Sequence, residues 1–258
     1  MENIDMYTLG NPTNHKLTQW KHVEKFTIKF FVVSLGLILF MSTSGISQSA
    51  NSSSDAPIYL MIRADDIGMS HSVNMALKEL LDAGYPVSAS IMFPTPWHKE
   101  AVALVKEYDN VSVGIHLTLN SEWEYYRWGP VTGREAVPSL VDRDGYFYHK
   151  TEPMKNNPPK RDEIEKELRA QIERALNTGL RIDYVDYQMG VIGIPGFRKV
   201  AQQLAREYNL GMWGDYGSRR WASHYSADPK DKPDSLVTMV NRMEPGYNYL
   251  MTHIGIDN

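Results

Sequence analysis

The sequence predicts an α/β fold on parallel strands, with the sheet either open or closed into a (β/α) barrel. Three observations carry this. Strand-like and helix-like patterns alternate from Ile58 onward, and no two strand-like runs are joined by a hairpin signature. The first run, Ile58 to Ile62, is nearly continuously apolar, as expected of a parallel strand covered on both faces.

The elements follow in order. His71 to Ala83 has helical spacing at Val73, Leu77, Leu80 and Leu81 and is closed by Gly84. A second strand fits Val87 to Phe93 and a second helix Trp97 to Tyr108. Between Val111 and Leu119 apolar residues take every second place, so Ser112, Gly114, His116 and Thr118 face the other way, as on a strand. Asn120 to Pro159 breaks the rhythm with aromatics, glycines and prolines and reads as a long insertion rather than a core element. Arg161 to Leu176 resumes as a helix with Ile164, Leu168, Ile172 and Ala175 on one stripe, Asp162/Lys166 and Glu165/Arg169 as i,i+4 pairs, and Gly179 as its stop. Arg181 to Gln188 then reads as a strand, Gly196 to Tyr208 as a helix opened by Pro195, and Leu210 to Trp213 as another strand. After a polar loop, Asp234 to Met243 reads as a helix and Tyr247 to Thr252 as the last strand, making about six strands with no repeat and no second domain. Because Asn258 closely follows that strand, the expectation is a barrel truncated at its C-terminus.

With 258 residues, 42% hydrophobic and 22% charged, the chain is long and apolar enough for one sizeable core, which excludes a mini-protein or a disordered tail. A formal charge of -4 offers no positive field for phosphate backbones, so nucleic acid is not expected as a partner. The absence of cysteine excludes disulfides, thiolate nucleophiles, cysteine-ligated zinc and a lipid-modified cysteine.

Residues 1–57 read as a leader and linker ahead of a domain at 58–258. Lys21, Lys25 and Lys29 precede the apolar run Phe30 to Met41, which gives way to the small, polar stretch Ser42 to Ala50, the layout of a secretory signal. That run is shorter than the roughly 20 residues needed to span a bilayer, which favours cleavage after Ser47 or Ala50 and export to the periplasm or outside. An uncleaved membrane anchor is the alternative. Asn51 to Asp55 reads as a polar linker. No pattern speaks to oligomeric state.

Ligands of parallel α/β folds gather beyond the carboxyl ends of the strands. Here strand one ends in Arg63-Ala64-Asp65-Asp66-Ile67-Gly68, strand three carries His116, strand four carries Asp186 and Gln188, and the last ends in Thr252-His253. Carboxylates, imidazoles and an amide converging from four strands suit metal-assisted hydrolysis, one acid holding a cation while its neighbour accepts a proton. Blander readings stand beside this one: Asp65 and Asp66 as caps of the helix starting near Ser70, His116 as a hydrogen-bonded structural residue, His253 as a solvated one. His15, His22, His71, His98, His149 and His224 read as surface or loop residues.

Four blocks in order, Tyr59 to Gly68, Gly114 to Leu119 followed by Ser121-Glu122-Trp123, Val185 to Gly190, and Leu250 to Gly255, resemble the motifs of the YdjC/ChbG-like carbohydrate deacetylases over roughly Ile58 to Gly255. The resemblance implies a distorted (β/α) TIM-like barrel that removes N-acetyl groups from amino sugars or oligosaccharides with a divalent metal. Carried over by position, Asp66 and His116 are implied as metal ligands, Asp65 as general base and His253 as the group assisting departure of the amine. The family's third ligand is usually the histidine of an Asp-Ser-His block, where this chain has Asp186-Tyr187-Gln188. The resemblance implies magnesium as the cation, with zinc the alternative; an amide oxygen at Gln188 suits magnesium better than zinc, and Asp186 is the alternative ligand.

Trp123, Tyr125, Tyr126 and Trp128, with Glu122 and Arg127 among them, follow the His116 strand and offer flat rings to sugar faces, unless they instead pack the loop onto the barrel. Trp123, Tyr126, Trp128 and Arg63 are the candidate substrate-binding residues, and Pro94-Thr95-Pro96-Trp97 offers another wall. Two rival functions are a non-catalytic carbohydrate-binding protein, disabled by Gln188 and the early C-terminus, and a metal phosphoesterase, for which no Gly-rich phosphate loop is found.

Overall fold

The computed structural model describes residues 57–212, 220–223 and 227–256, so the leader and linker read at 1–57 lie outside the described residues but for Pro57, as does Trp213. Seven strands are described: β1 (Ile58–Ile67), β2 (Val87–Ile91), β3 (Val111–Leu117), β4 (Tyr184–Tyr187), β5 (Gly211–Met212), β6 (Arg220–Ser223) and β7 (Gly246–His253). All neighbours are parallel, in the order β5-β4-β3-β2-β1-β7-β6. That order is cyclic. Each strand lies beside its predecessor and β7 lies beside β1, with the break between β5 and β6, which is the arrangement of a distorted TIM-like barrel.

Three strands depart from the sequence reading, β4 keeping only Tyr184–Tyr187 of the stretch Arg181 to Gln188. β6 occupies a stretch read as polar loop; among the described residues its four residues Arg220–Ser223 pair only with β7, and they carry no long apolar run of their own. β1 runs on through Arg63, Asp65 and Asp66, where charged residues end its apolar pattern, because the ladder to β7 is unbroken from Ile58 opposite Gly246 to Asp65 opposite His253. Tertiary pairing overrides local pattern here.

The helices are α1 (His71–Asp82), α2 (His98–Val105), α3 (Glu152–Asn156), α4 (Arg161–Leu176), α5 (Phe197–Glu207) and α6 (Lys232–Asn241). The Ser70 hydroxyl caps α1 by accepting from the Val73 N–H at 3.3 Å, which disposes of Asp65 and Asp66 as its caps. Val73, Leu77 and Leu81 of α1, Ile164, Leu168, Ile172 and Ala175 of α4, and Phe197, Val200, Ala201 and Leu204 of α5 are buried on one side of each helix. They pack with Ala64, Ala89, Ile91, Val113, Ile115, Leu117 and Val185 of the strands in one core, each fully buried Leu or Ile contributing about 1.5–3 kcal/mol. Alternate residues of the same strands, Arg63, Asp65, Ser88, Ser90, Ser112, His116 and Asp186, are buried and polar, so the second face of the sheet carries the polar groups.

The insertion after β3 joins the core, contrary to its reading from sequence. Trp128, Val137, Leu140, Phe147 and Met154 are buried within it. What holds the insertion is a row on α4 whose charges disguise its burial. Glu163 accepts from the Ser139 N–H and hydroxyl at 2.7 and 2.8 Å, and Glu167 accepts from the N–H groups of Val131 and Thr132 at 2.9 and 3.1 Å. One turn on, the Gln171 amide donates to the Thr118 carbonyl and accepts from its N–H, tying the row to the end of β3. Among the described residues no helix is long and apolar enough to cross a membrane.

Candidate active site

The site begins with an irregularity in β1. Its pairing with β2 steps from Ala64 opposite Ala89 to Ile67 opposite Ile91, and Asp66 takes a left-handed φ of 59°. A regular strand turns consecutive side chains to opposite faces; a bulge with a positive φ re-aims one of them, at a cost in backbone strain that proteins keep for functional places. Both Asp65 and Asp66 thereby reach His116 of β3. Asp66 Oδ1 lies 3.4 Å from His116 Nε2, and Asp65 and His116 offer ligand atoms within 4.8 Å of one another.

His116 is held from its other nitrogen. Nδ1 meets Asp186 Oδ1 of β4 at 2.7 Å, and the same oxygen accepts from the Ser90 hydroxyl of β2 at 2.6 Å. The carboxylate at Nδ1 leaves Nε2 to face Asp66, as in the carboxylate–histidine pairs that orient metal ligands. Burial opposes charge on His116, but Asp186 and then Asp65 outweigh it and push its pKa up to about 10. β3 and β4 approach closely enough to align Asp186 with His116 because Gly114 carries no side chain: a Cβ there would lie 2.2 Å from the Tyr184 ring.

Arg63 is placed differently from its reading as a substrate-binding residue. It is buried, its Nε and Nη2 donate to the two oxygens of Asp65, the second at 2.6 Å, and its Nη1 is ion-paired with Asp186 Oδ2. Its charge is directed at these two carboxylates and not at the surface. Burial raises the pKa of Asp65 against the pull of His116 and Arg63, whereas in Asp186 the Arg63 and His116 charges outweigh burial and lower it.

His253 stands on β7 in register with Asp65 and points Nε2 at Asp66 Oδ2 across 3.6 Å. Its side chain is 32% exposed, against 10% for Asp66 and 2% for His116, so it is the solvent-reached member of the three. Asp66 is thus bracketed by two imidazoles, one at each oxygen; burial raises its pKa, but His116 and then His253 prevail and lower it.

Two arrangements bear on a cation. Asp65, His116 and Asp186 form a group of the right spacing, but Arg63 is ion-paired with both acids and already supplies the positive charge there. Among the described residues no lysine or arginine is ion-paired with Asp66, whose charged neighbours are the two imidazoles. Asp66 Oδ1 is buried and accepts no hydrogen bond among the described residues, and its 3.4 Å separation from Nε2 matches the roughly 3–3.5 Å between donors that share one small divalent ion. A carboxylate and an imidazole are apt donors for such an ion. Gln188 is buried at the end of β4 with its Oε1 accepting no hydrogen bond among the described residues. Asp186, the alternative ligand, spends both oxygens on His116, Ser90 and Arg63.

The aromatic residues divide. Trp128 is 2% exposed and its indole N–H donates to the Asn120 carbonyl at 2.9 Å, so it is part of the core, which corrects its reading as a sugar platform. Tyr126 is half-buried and its hydroxyl donates to the Met69 carbonyl, fixing the insertion to the loop after β1. Trp123 is 51% exposed, and Trp97 is exposed beside the His71 ring. Ser90 and the orienting role of Asp186 were missed in the sequence. The signal was the Ser88-Ala89-Ser90 alternation, which puts small hydroxyl groups on the polar face of β2. Glu122 also belongs to the site's surroundings: burial and then the charge of Asp66 raise its pKa.

A family model described as YdjC-like protein matches residues 59–258. The chain belongs to the YdjC-like family. Among its relatives are a carbohydrate deacetylase of Brevibacillus brevis, 34% identical over 151 residues that cover 58% of this chain and 57% of that protein, and one of Thermoanaerobacter pseudethanolicus, 30% identical over 206 residues covering 76% and 80%. A solved structure from Enterococcus faecalis, described as that of a cellobiose-phosphate cleavage protein, superposes with a TM-score of 0.59 at 25% identity over 77% of this chain and 82% of that one. The YdjC-like chain spans 57% to 58% of the length of three of the curated relatives it matches. The four blocks that suggested the family all fall within the matched residues.

Proposed function

We propose that this YdjC-like protein is a carbohydrate deacetylase, a hydrolase that removes acetyl groups from the nitrogen of amino sugars or their oligosaccharides. The observation that carries the reading is the meeting of Asp66 and His116 at 3.4 Å with Asp65 on one side and His253 on the other. The names of its relatives support the substrate class.

Asp66 and His116 would hold a divalent cation, with Gln188 Oε1 at the end of β4 as a further oxygen donor. When bound, the cation supplies Lewis acidity to the acetyl carbonyl and eases deprotonation of the attacking water. Asp65 takes that proton. Water oxygen bonds to the carbonyl carbon, the carbon–nitrogen bond breaks, and His253 gives a proton to the departing nitrogen, so that acetate and a free amine leave. Asp186 and Ser90 keep His116 turned toward Asp66. Trp123, and Tyr126 through its anchored ring, supply the apolar surface for the sugar. Magnesium suits the oxygen-rich set and zinc is the alternative. Export through the N-terminal leader is part of the same proposal, supported by its basic, apolar and small-residue layout.

The deciding experiment is acetate release from N-acetylglucosamine oligomers by metal-depleted protein before and after readdition of magnesium or zinc. Release restored by metal is the expected result. Sugar binding unaffected by chelator with no acetate released assigns the chain instead to non-catalytic carbohydrate recognition, a reading favoured by Gln188 standing where the resemblance implies a histidine.

A further inference from the structure

Arg63 is a buried cation on the polar face of the sheet that is paired with two carboxylates. Its Nε and Nη2 form a two-pronged pair with Asp65, its Nη1 meets Asp186 Oδ2, and its guanidinium carbon lies 5.1 Å from the centroid of the Tyr249 ring. Asp186 passes the restraint on: its other oxygen meets His116 Nδ1 at 2.7 Å and accepts from Ser90 at 2.6 Å. A continuous chain of contacts therefore runs Asp65, Arg63, Asp186, His116, across β1, β3 and β4.

We infer that Arg63 is a positioning residue that sets the two halves of the site with one side chain, holding the proton acceptor Asp65 directly and the ring of His116 through Asp186. The inference rests on the deacetylase reading for the roles of those two partners. Its physical ground is the shape of the guanidinium. A planar fork with donors on three nitrogens serves two carboxylates at fixed angles; a lysine ammonium is a point charge on a flexible stem and satisfies one at a time. The cation is needed as well as the shape. Asp65 and Asp186 present oxygens within 4.8 Å of each other in a buried place, and without a charge between them their repulsion turns one away or leaves it protonated. Either outcome disturbs the acceptor, the orientation of His116, or both. Arg63 is buried and its donors are directed at Asp65 and Asp186, so its effect falls on the rate of the chemical step rather than on sugar affinity.

The test uses the full chain with Arg63→Ala and Arg63→Lys, folding checked by circular dichroism and thermal melting. Acetate-release kinetics should show kcat lowered about 10- to 100-fold or more with KM little changed, the size of effect found when groups orienting a metal ligand are removed. Added guanidinium ion at millimolar concentration should restore part of the rate to Arg63→Ala, and ammonium should not. Independently of turnover, the nitrogen-15 spectrum of labelled His116 should show its ring altered in both variants. Wild-type kcat in a folded variant overturns the inference, as does a loss confined to KM with the His116 spectrum unchanged. Should the alanine variant not fold, Arg63→Lys decides, since it keeps a buried positive charge. If the wild-type protein releases no acetate, the deacetylase reading fails, and the His116 spectrum alone still judges the role of Arg63.

Discussion

Asp65 and Asp66 are consecutive in β1 yet both turn toward His116. The bulge against β2 and the φ of 59° at Asp66 make this possible, giving one acid to Arg63 and the other to a pair of imidazoles. Two identical side chains thereby acquire different environments, the condition for dividing acid–base work from ion binding.

Asp66→Asn should weaken cation binding without unfolding the chain. The substitution preserves size but removes the charge between His116 and His253. Isothermal titration with manganese or zinc should show affinity lowered by at least about tenfold, since even groups that only orient ligands have effects of that size. Undiminished affinity would place the cation elsewhere, with the Asp65, His116 and Asp186 group the first candidate.

Asp65→Asn should separate turnover from binding. The amide cannot accept the proton, so acetate release should fall about 10²–10⁴-fold, the usual contribution of general acid–base catalysis. Cation affinity, measured on the same preparation, should stay close to wild type. Retained activity would reject Asp65 as the acceptor.

Two tryptophans from one insertion should behave oppositely. Trp128→Ala empties a buried site and should destabilise the fold by about 3–5 kcal/mol in urea titration. Trp123→Ala removes a half-exposed ring and should change stability by no more than about 0.5 kcal/mol while weakening oligosaccharide binding. Equal losses of stability would make both structural.

Acid should loosen the insertion through Glu163. Burial raises the pKa of this carboxylate, but the Ser139 N–H, the Ser139 hydroxyl and Lys160 together lower it below the ordinary value. A depressed folded-state pKa contributes stability that is complete above the unfolded value, about 4.3–4.5, and is lost as pH falls through the folded one. The melting-temperature gap between wild type and Glu163→Gln should therefore be widest at neutral pH and narrow steadily as pH falls below the unfolded value. A gap independent of pH would mean that the charge on Glu163 contributes nothing.

Much of this protein was legible because its elements obey local periodicity. The α4 boundaries match those read from Ile164, Leu168, Ile172 and Ala175, since an amphipathic stripe and a following glycine are local signals. The third strand announced itself by alternation, and with it the polar direction of His116. β6 did not, because four residues paired on one edge carry too little pattern. The apolar stripe did not point to Glu163, Glu167 and Gln171, whose burial comes from partners on the insertion and at the end of β3. Arg63 read as a ligand contact because its two carboxylates, one in its own strand and one in β4, are neighbours only after folding.

The sequence by itself determined the alternation of strands and helices, the side of each strand that is polar, and the residue types delivered to the strand ends, because period and side-chain chemistry are properties of short stretches. Tertiary structure decided which of those residues meet. Whether Asp186 binds an ion or turns a histidine, and whether Trp128 faces sugar or core, depends on strand register, a one-residue bulge and the closeness allowed by Gly114, which are set by chain segments far apart in the sequence.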